Sequence, residues 1–149
     1  MKKSVVYLGA DHAGYALKEK IKRYFDKKGI DYFDLGGNGD EGDDYPDYAF
    51  KVAERVASDR NSVGILICGT GTGMVIAANK VKGARAAAAY DDYSAKMAKE
   101  HNNANILCLR GRNFSDEKNL KLVKIWLAGK FDSSARHERR IKKIASYER

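Results

Sequence analysis

The segment Gly69-Thr70-Gly71-Thr72-Gly73 places a glycine at every second position directly after the apolar run Val63 to Cys68. Without bulky side chains, the backbone amides of such a loop can approach a ligand and point at negative charge near a helix N-terminus. Cys68 stands at the junction of run and loop. A cysteine ending a buried strand is ordinarily inert packing. The adjacent amides change the balance, because a base beside donors aimed at a developing oxyanion is what proton abstraction next to a carbonyl requires. His12 and His101, each among polar neighbours, are the other proton carriers. Histidine moves protons near neutral pH, although a lone one is most often a polar surface residue.

Other segments pair with these. Tyr45-Pro46-Asp47 contains the only proline in the chain; it reads as an extended turn that either presents Tyr45 to a ligand or ends the preceding loop. Arg136 and Arg140 share a helix face at i, i+4, with His137 between them, and form either a phosphate grip or a solvated helix face. A dinucleotide fingerprint would need a third glycine where Met74 stands, yet Asp91 and Asp92 fall where a ribose-binding acid would, so nucleotide binding stays open as a second reading. Gly9 to Gly14 imitates a phosphate-binding Walker loop but has Tyr15 in place of its lysine. The spacings of a metal cage, such as Cys-x-x-Cys or His-x-x-x-His, do not occur, and no metal is expected.

These segments need elements to hold them. Val5 to Leu8 reads as a strand, and Leu17, Ile21, Tyr24 and Phe25 recur at helical spacing up to Gly29. Residues 30–35 read as a second strand, and 36–47 as a loop rich in Gly and Asp. A helix over 48–58 leads to a central strand over 63–68, whose continuous apolar character suits a parallel sheet buried on both faces. Then come a helix to Asn79, a strand over 85–90, a helix over 94–101, a strand over 105–109, a helix from Ser115 to Ala128 and a basic helix from about Arg136. Strands alternating with helices imply right-handed crossovers and an α/β fold: a Rossmann-like three-layer sandwich with a five-stranded parallel sheet and an extra C-terminal helix. Ligands then bind beyond the carboxyl ends of the strands, where Gly9 to Gly14, Cys68 to Gly73 and Arg110-Gly111-Arg112 lie. With 149 residues and neither linker nor repeat, residues 1–149 are expected to form one domain.

Composition narrows the function. The net charge of +8 fits a polyanionic partner or phosphorylated metabolites. Lysines such as Lys18, Lys20, Lys22, Lys27, Lys28, Lys118, Lys121 and Lys124 are scattered as solvated faces usually are, which makes nucleic acid the lesser reading. Two cysteines, both in apolar runs, argue against a disulfide framework and for a reducing cytosol. The start, MKKSVVYLGADHAG, lacks the long apolar core of a secretory signal, and no run is long enough to span a bilayer. A cytoplasmic location without membrane contact is therefore expected.

Six ordered motifs together, Gly-Ala-Asp-His-Ala-Gly at 9–14, Asp-Tyr-Pro-Asp-Tyr-Ala at 44–49, Ile-Cys-Gly-Thr-Gly-Thr-Gly at 67–73, Ala-Ala-Asn-Lys at 77–80, Glu-His-Asn-Asn-Ala-Asn at 100–105 and Ala-Arg-His at 135–137, closely resemble the type B ribose-5-phosphate isomerases. The likeness runs nearly end to end. It implies interconversion of ribose 5-phosphate and ribulose 5-phosphate through a cis-enediolate, in the pentose phosphate pathway, without metal or organic cofactor. It implies that Cys68 is the base with Thr70 its polar neighbour, and that the amides of Gly69, Thr70, Gly71, Thr72 and Gly73 receive the enediolate oxygens. Asp11 and Tyr45 would hold sugar hydroxyls, His101 would open the furanose ring, and Asn102 would bind sugar. His12, Arg112, Arg136 and Arg140 would meet the phosphate. Members are homodimers or homotetramers whose site is shared between two chains. Val75 and Ile76 just past the loop favour the cysteine form over the form that uses a glutamate. Ser134-Ala135, where the family has Gly-Gly, and Tyr90-Asp91-Asp92 depart from the pattern. A galactose- or allose-6-phosphate isomerase would share the chemistry, whereas a nucleotide- or nucleic-acid-binding module would use the same loop and basic helix without needing Cys68.

Overall fold

The computed structural model describes residues 4–148; Lys2 and Lys3 of the opening segment lie outside them. The strands are β1 (Val5–Ala10), β2 (Tyr32–Asp34), β3 (Ser62–Cys68), β4 (Ala86–Ala88) and β5 (Ile106–Arg110). The helices are α1 (Tyr15–Lys28), α2 (Tyr45–Ser58), α3 (Thr72–Ala78), α4 (Asp92–Glu100), α5 (Asp116–Ala128) and α6 (Ala135–Tyr147). All strand pairs are parallel, in the order β2-β1-β3-β5-β4. The α/β sandwich expected from the alternation of patterns is therefore what forms.

Side-chain alternation along the central strands divides the core. Leu8, Ile65, Ile67, Leu107 and Leu109 face one way and pack with Leu17, Ile21 and Phe25 of α1 and Leu122 and Trp126 of α5. Leu66, Cys68, Ile106 and Cys108 face the other way, against Val52 and Ala53 of α2 and Met74 and Ala78 of α3. Because both faces are covered, these strands read as continuous apolar runs.

Several boundaries differ from the sequence expectation by one to three residues, and at three of them the local reason is plain. β4 ends at Ala88 because the Tyr90 and Asp91 N–H groups turn to Ser94 Oγ, and Asp91 in return accepts from the Ser94 N–H at 2.7 Å; together they cap α4. β2 begins late because the Ile30 N–H bonds back to Phe25 and helps close α1 at Gly29, which has φ +69°. α2 begins at Tyr45 rather than Tyr48. Pro46 is accommodated in its first turn, where no intrahelical N–H is needed, so Tyr45 is helical and not part of an extended turn.

Lys18 also departs from expectation. Helical spacing groups it with the solvated lysines, but it is fully buried, and its Nζ donates to Asp34 Oδ1 (2.8 Å), Gly36 O (2.9 Å) and Gly37 O (2.6 Å). It clamps the start of the 36–44 loop against the end of β1. A Cβ on Gly37, whose φ is +103°, would stand 2.0 Å from Ala10 O, so only glycine lets the loop come so close. Burial alone would raise the Asp34 carboxyl; the bonds from Lys18, Lys22 and the Gly36 N–H outweigh it and hold the group below its ordinary range.

Candidate active site

The chain leaves β1 to form β2 on one side, then returns to form β3 on the other. The carboxyl ends of β1 and β3 therefore diverge into a crevice, the usual ligand position in such sheets. The Asp11 N–H bonds to Ile67 O at 3.2 Å and seals the base of the crevice. Asp11, only 6% exposed, turns Oδ1 back on its own loop to accept from Ala13 N–H (3.0 Å) and Gly14 N–H (3.1 Å). That leaves Oδ2 as the oxygen it can offer a ligand.

Cys68 is buried at the end of β3, and its Sγ accepts the Gly71 N–H at 3.2 Å. Gly71 has φ +83°, and the Thr72 N–H is taken by Thr70 Oγ1 at 3.2 Å. The loop is thus partly used in holding itself: Gly71 steadies the sulfur and Thr70 braces the turn. Among the described residues, the Gly73 N–H has no protein acceptor. The Tyr45 ring lies over Gly73, where a Cβ would come within 2.5 Å of Tyr45 Cε1. Gly73 is small because Tyr45 covers it.

The third wall is the turn after β5. The Gly111 N–H bonds to Cys68 O at 2.8 Å and the Arg112 N–H to Gly69 O at 3.2 Å, and the Arg112 side chain passes beside Gly69. A Cβ on Gly111 would stand 2.2 Å from Ala13 O, so the first and third walls meet backbone to backbone. His12 completes this half: Nδ1 lies 2.8 Å from Asp43 Oδ1, which also accepts the His12 N–H at 3.1 Å. Its pKa is raised, first by that bond and also by Asp11, against burial and Arg112. Asp43 was not singled out in the sequence, where it is one of several acids in a long loop.

The remaining residues lie elsewhere. His101 caps the C-terminal end of α4, before β5 begins, whereas Cys68 pairs with Arg110 at the other end of β5. From Ile106 to Arg110 the strand rises about 13 Å. One chain therefore does not bring His101 and Asn102 to Cys68. They group instead with α6: the His101 and His137 rings stack with centroids 4.4 Å apart, and Asp132 N–H bonds to Glu100 O at 2.8 Å. His137 is 4% exposed, with Nε2 3.4 Å from Asp132 Oδ2. Burial first, then His101 and the two arginines, push its pKa down. Arg136 and Arg140, exposed on the same helix, belong to this second group, so the four expected phosphate contacts divide into His12 with Arg112 and Arg136 with Arg140. A cavity of about 580 Å³ at the amino ends of the strands, lined in part by Lys99, Arg85 and Asn103, also lies away from Cys68.

The departures at 90–92 and 134–135 serve the scaffold. Asp91 caps α4, and Asp92 pairs with Lys121 at 2.9 Å, which uses the two acids that a ribose-binding reading would require. Ser134 has φ −58°, an ordinary value for a residue with a side chain, and Ala135 opens α6. Among the described residues, no three His, Cys, Asp or Glu side chains gather as a metal cage would, and no helix is long and apolar enough to cross a membrane.

A family profile described as Ribose/Galactose Isomerase matches residues 6–144. The chain belongs to that family. Its type B ribose-5-phosphate isomerase relatives include one from Mycobacterium tuberculosis, 42% identical over 97% of this chain and 90% of the relative. Among solved structures, ribose-5-phosphate isomerase B from Mycoplasma genitalium with bound ribulose-5-phosphate superposes with a TM-score of 0.94 at 43% identity, covering 99% of this chain and 97% of that one. The Thermotoga maritima enzyme superposes at 0.92 and 46% identity, covering 97% and 99%. The superposition over nearly the whole chain takes in the sheet and the helices, including α6, so the fold of these isomerases is complete in this chain.

Proposed function

We propose that this chain interconverts ribose 5-phosphate and ribulose 5-phosphate in the cytoplasm, as a homodimer or homotetramer in which each site combines the Cys68 half of one protomer with the His101 half of its partner. The observation that carries the reading is the Cys68 sulfur, held by the Gly71 N–H in a crevice walled by Asp11, Tyr45 and Arg112. A base so placed can take the proton from C2 of the open aldose and return it to C1, while the O2 hydroxyl proton passes to O1. The amides around Gly73 stabilise the cis-enediolate oxygens as charge develops, where preorganised donors contribute most.

Before that step the furanose must open. His101 of the partner subunit moves a proton between ring oxygen and the anomeric hydroxyl, and Asn102 of the partner subunit holds the chain so released. The phosphate bridges the protomers, between His12 and Arg112 on one side and the partner's Arg136 and Arg140 on the other. Asp11 Oδ2 and Tyr45 Oη bind hydroxyls between these ends.

The test is to incubate the full-length protein separately with ribose 5-phosphate, allose 6-phosphate and galactose 6-phosphate and to follow ketose formation. Turnover of ribose 5-phosphate at the highest kcat/KM is expected. Preference for a hexose phosphate would move the substrate and keep the chemistry. No turnover of any of the three, with tight binding of a nucleotide or oligonucleotide instead, would overturn the reading.

A further inference from the structure

Asp43 lies outside the set of residues so far given a role in the reaction, yet its geometry is the most specific of any side chain near the crevice. One oxygen, Oδ1, receives both the His12 backbone N–H and the His12 ring. The carboxylate is 9% exposed, and its other oxygen is buried with no well-formed hydrogen bond, the Tyr48 hydroxyl standing near the group. The loop that carries it is anchored at its start by Lys18 on Gly36 O and Gly37 O, and the Asp43 N–H turns back to Asp40 O at 3.1 Å. We propose that Asp43 is a positioning residue that locks the His12 ring through Nδ1, so that Nε2–H is presented, beside Arg112, to the phosphate of the substrate.

The chemistry follows from the ring's two nitrogens. With Nδ1–H committed to a carboxylate, only Nε2 can meet a ligand, and a phosphate oxygen requires Nε2 to carry a proton. That demands the imidazolium. The groups around His12 bear on it from every side: Asp11 on its own loop favours the charge, Asp43 on the 36–44 loop favours it most, and Arg112 after β5 opposes it. Behind Asp43 stands Tyr48 of α2, whose hydroxyl is held protonated first by burial, then by Asp43 itself, and less by Asp47 and Asp40. The net effect raises the His12 pKa, and an arriving phosphate shifts it further in the same direction. The contribution of His12 to phosphate binding is therefore complete at low pH and lost as pH rises through its raised midpoint.

The proposal rests on the sugar-phosphate reading, but it can be judged apart from turnover. Imidazole nitrogen NMR of the full-length protein follows His12 against pH, with and without inorganic phosphate, in the parent and in Asp43→Asn; His12→Gln assigns the signal. In the parent, the His12 midpoint lies above the ordinary value near 6.5 and rises again with phosphate. In Asp43→Asn the midpoint falls back toward or below the ordinary value, and inorganic phosphate binds about tenfold more weakly. KM for ribose 5-phosphate rises about tenfold near neutral pH while kcat changes little, and adding His12→Gln to Asp43→Asn raises it no further. The second ionisation of the phosphate is common to both proteins and cancels in the comparison. If Asp43→Asn lowers the melting temperature but leaves the His12 midpoint and its phosphate response unchanged, Asp43 only fastens the loop and the proposal is wrong. Should Asp43→Asn not fold, Asp43→Glu, which keeps the charge, must retain the raised midpoint and Asp43→Ser must lose it. A parent without turnover on any sugar phosphate would end the isomerase reading, and the NMR comparison would still decide the role of Asp43.

Discussion

The two groups of residues expected in the site, one around Cys68 and one around His101, are held in place differently. Around Cys68, position is fixed by backbone: the Gly71 N–H on sulfur, the Gly111 N–H on Cys68 O, and glycines at 73 and 111 that admit no side chain. Around His101, position is fixed by side chains on helix ends: a stacked histidine pair beneath exposed arginines. A reacting carbon tolerates little displacement, and the proposed base, Cys68, accordingly ends a central strand, with the amides in the tight turn that follows it. Under the proposed function, ring opening and phosphate holding act on charge over longer range, and groups on helix ends would suffice for them.

The strongest test of that division is complementation. Cys68→Ala and His101→Ala should each fold and each lose activity, by about 10²- to 10⁴-fold for the positioned base. Mixed, unfolded and refolded together, they should recover roughly a quarter of parental activity, because about half the dimers are mixed and each of those carries one site free of both substitutions. No recovery would mean that both residues serve one site within a single chain.

Next in size is the contrast between rigid and tolerant glycine positions. Gly73→Ala must displace the Tyr45 ring, since its Cβ would stand 2.5 Å from Cε1, and should lower kcat/KM by about tenfold or more. Ser134→Gly, which restores the family's residue in the other half, should change kcat/KM by less than about twofold, because Ser134 already has an unstrained φ of −58°. Equal losses at both positions would remove the distinction between the halves.

Arg136→Ala or Arg140→Ala should raise KM for the sugar phosphate by about tenfold, while Lys121→Ala, whose partner is the exposed Asp92, should leave it unchanged. Similar small effects at all three would return α6 to a solvated surface.

The smallest effect is one of pH, and it has opposite signs in the two halves. His137 is held below the ordinary histidine value of about 6.5, so the stability it contributes is present above that pH and is lost as pH falls from there through its folded pKa. His12 is held above that value, so its contribution is complete below it and is lost as pH rises through its folded pKa. Melting curves of His137→Asn and His12→Gln against pH should therefore converge on the parent from opposite ends: His137→Asn at acid pH, His12→Gln at alkaline pH. The same direction for both would contradict the environments described.

Periodicity and glycine placement were enough to read the parallel sandwich, the glycine loop after β3 and the importance of residues following each strand, because these depend on local pattern and on a general rule for open sheets. The motifs in order were enough to read the family. Lys18 was misread, since helical spacing tells which residues share a face but not that a glycine loop will fold over one of them and offer it carbonyls. Asp43 was invisible for a similar reason: nothing in an acidic loop marks which carboxylate will meet a histidine 31 residues away. Tertiary structure alone decided how the site residues divide. Direction along a strand fixes that Cys68 emerges at its carboxyl end and that His101, closing the antiparallel return of α4, arrives at the amino end of the sheet, a separation that sequence order conceals and that a second chain can close.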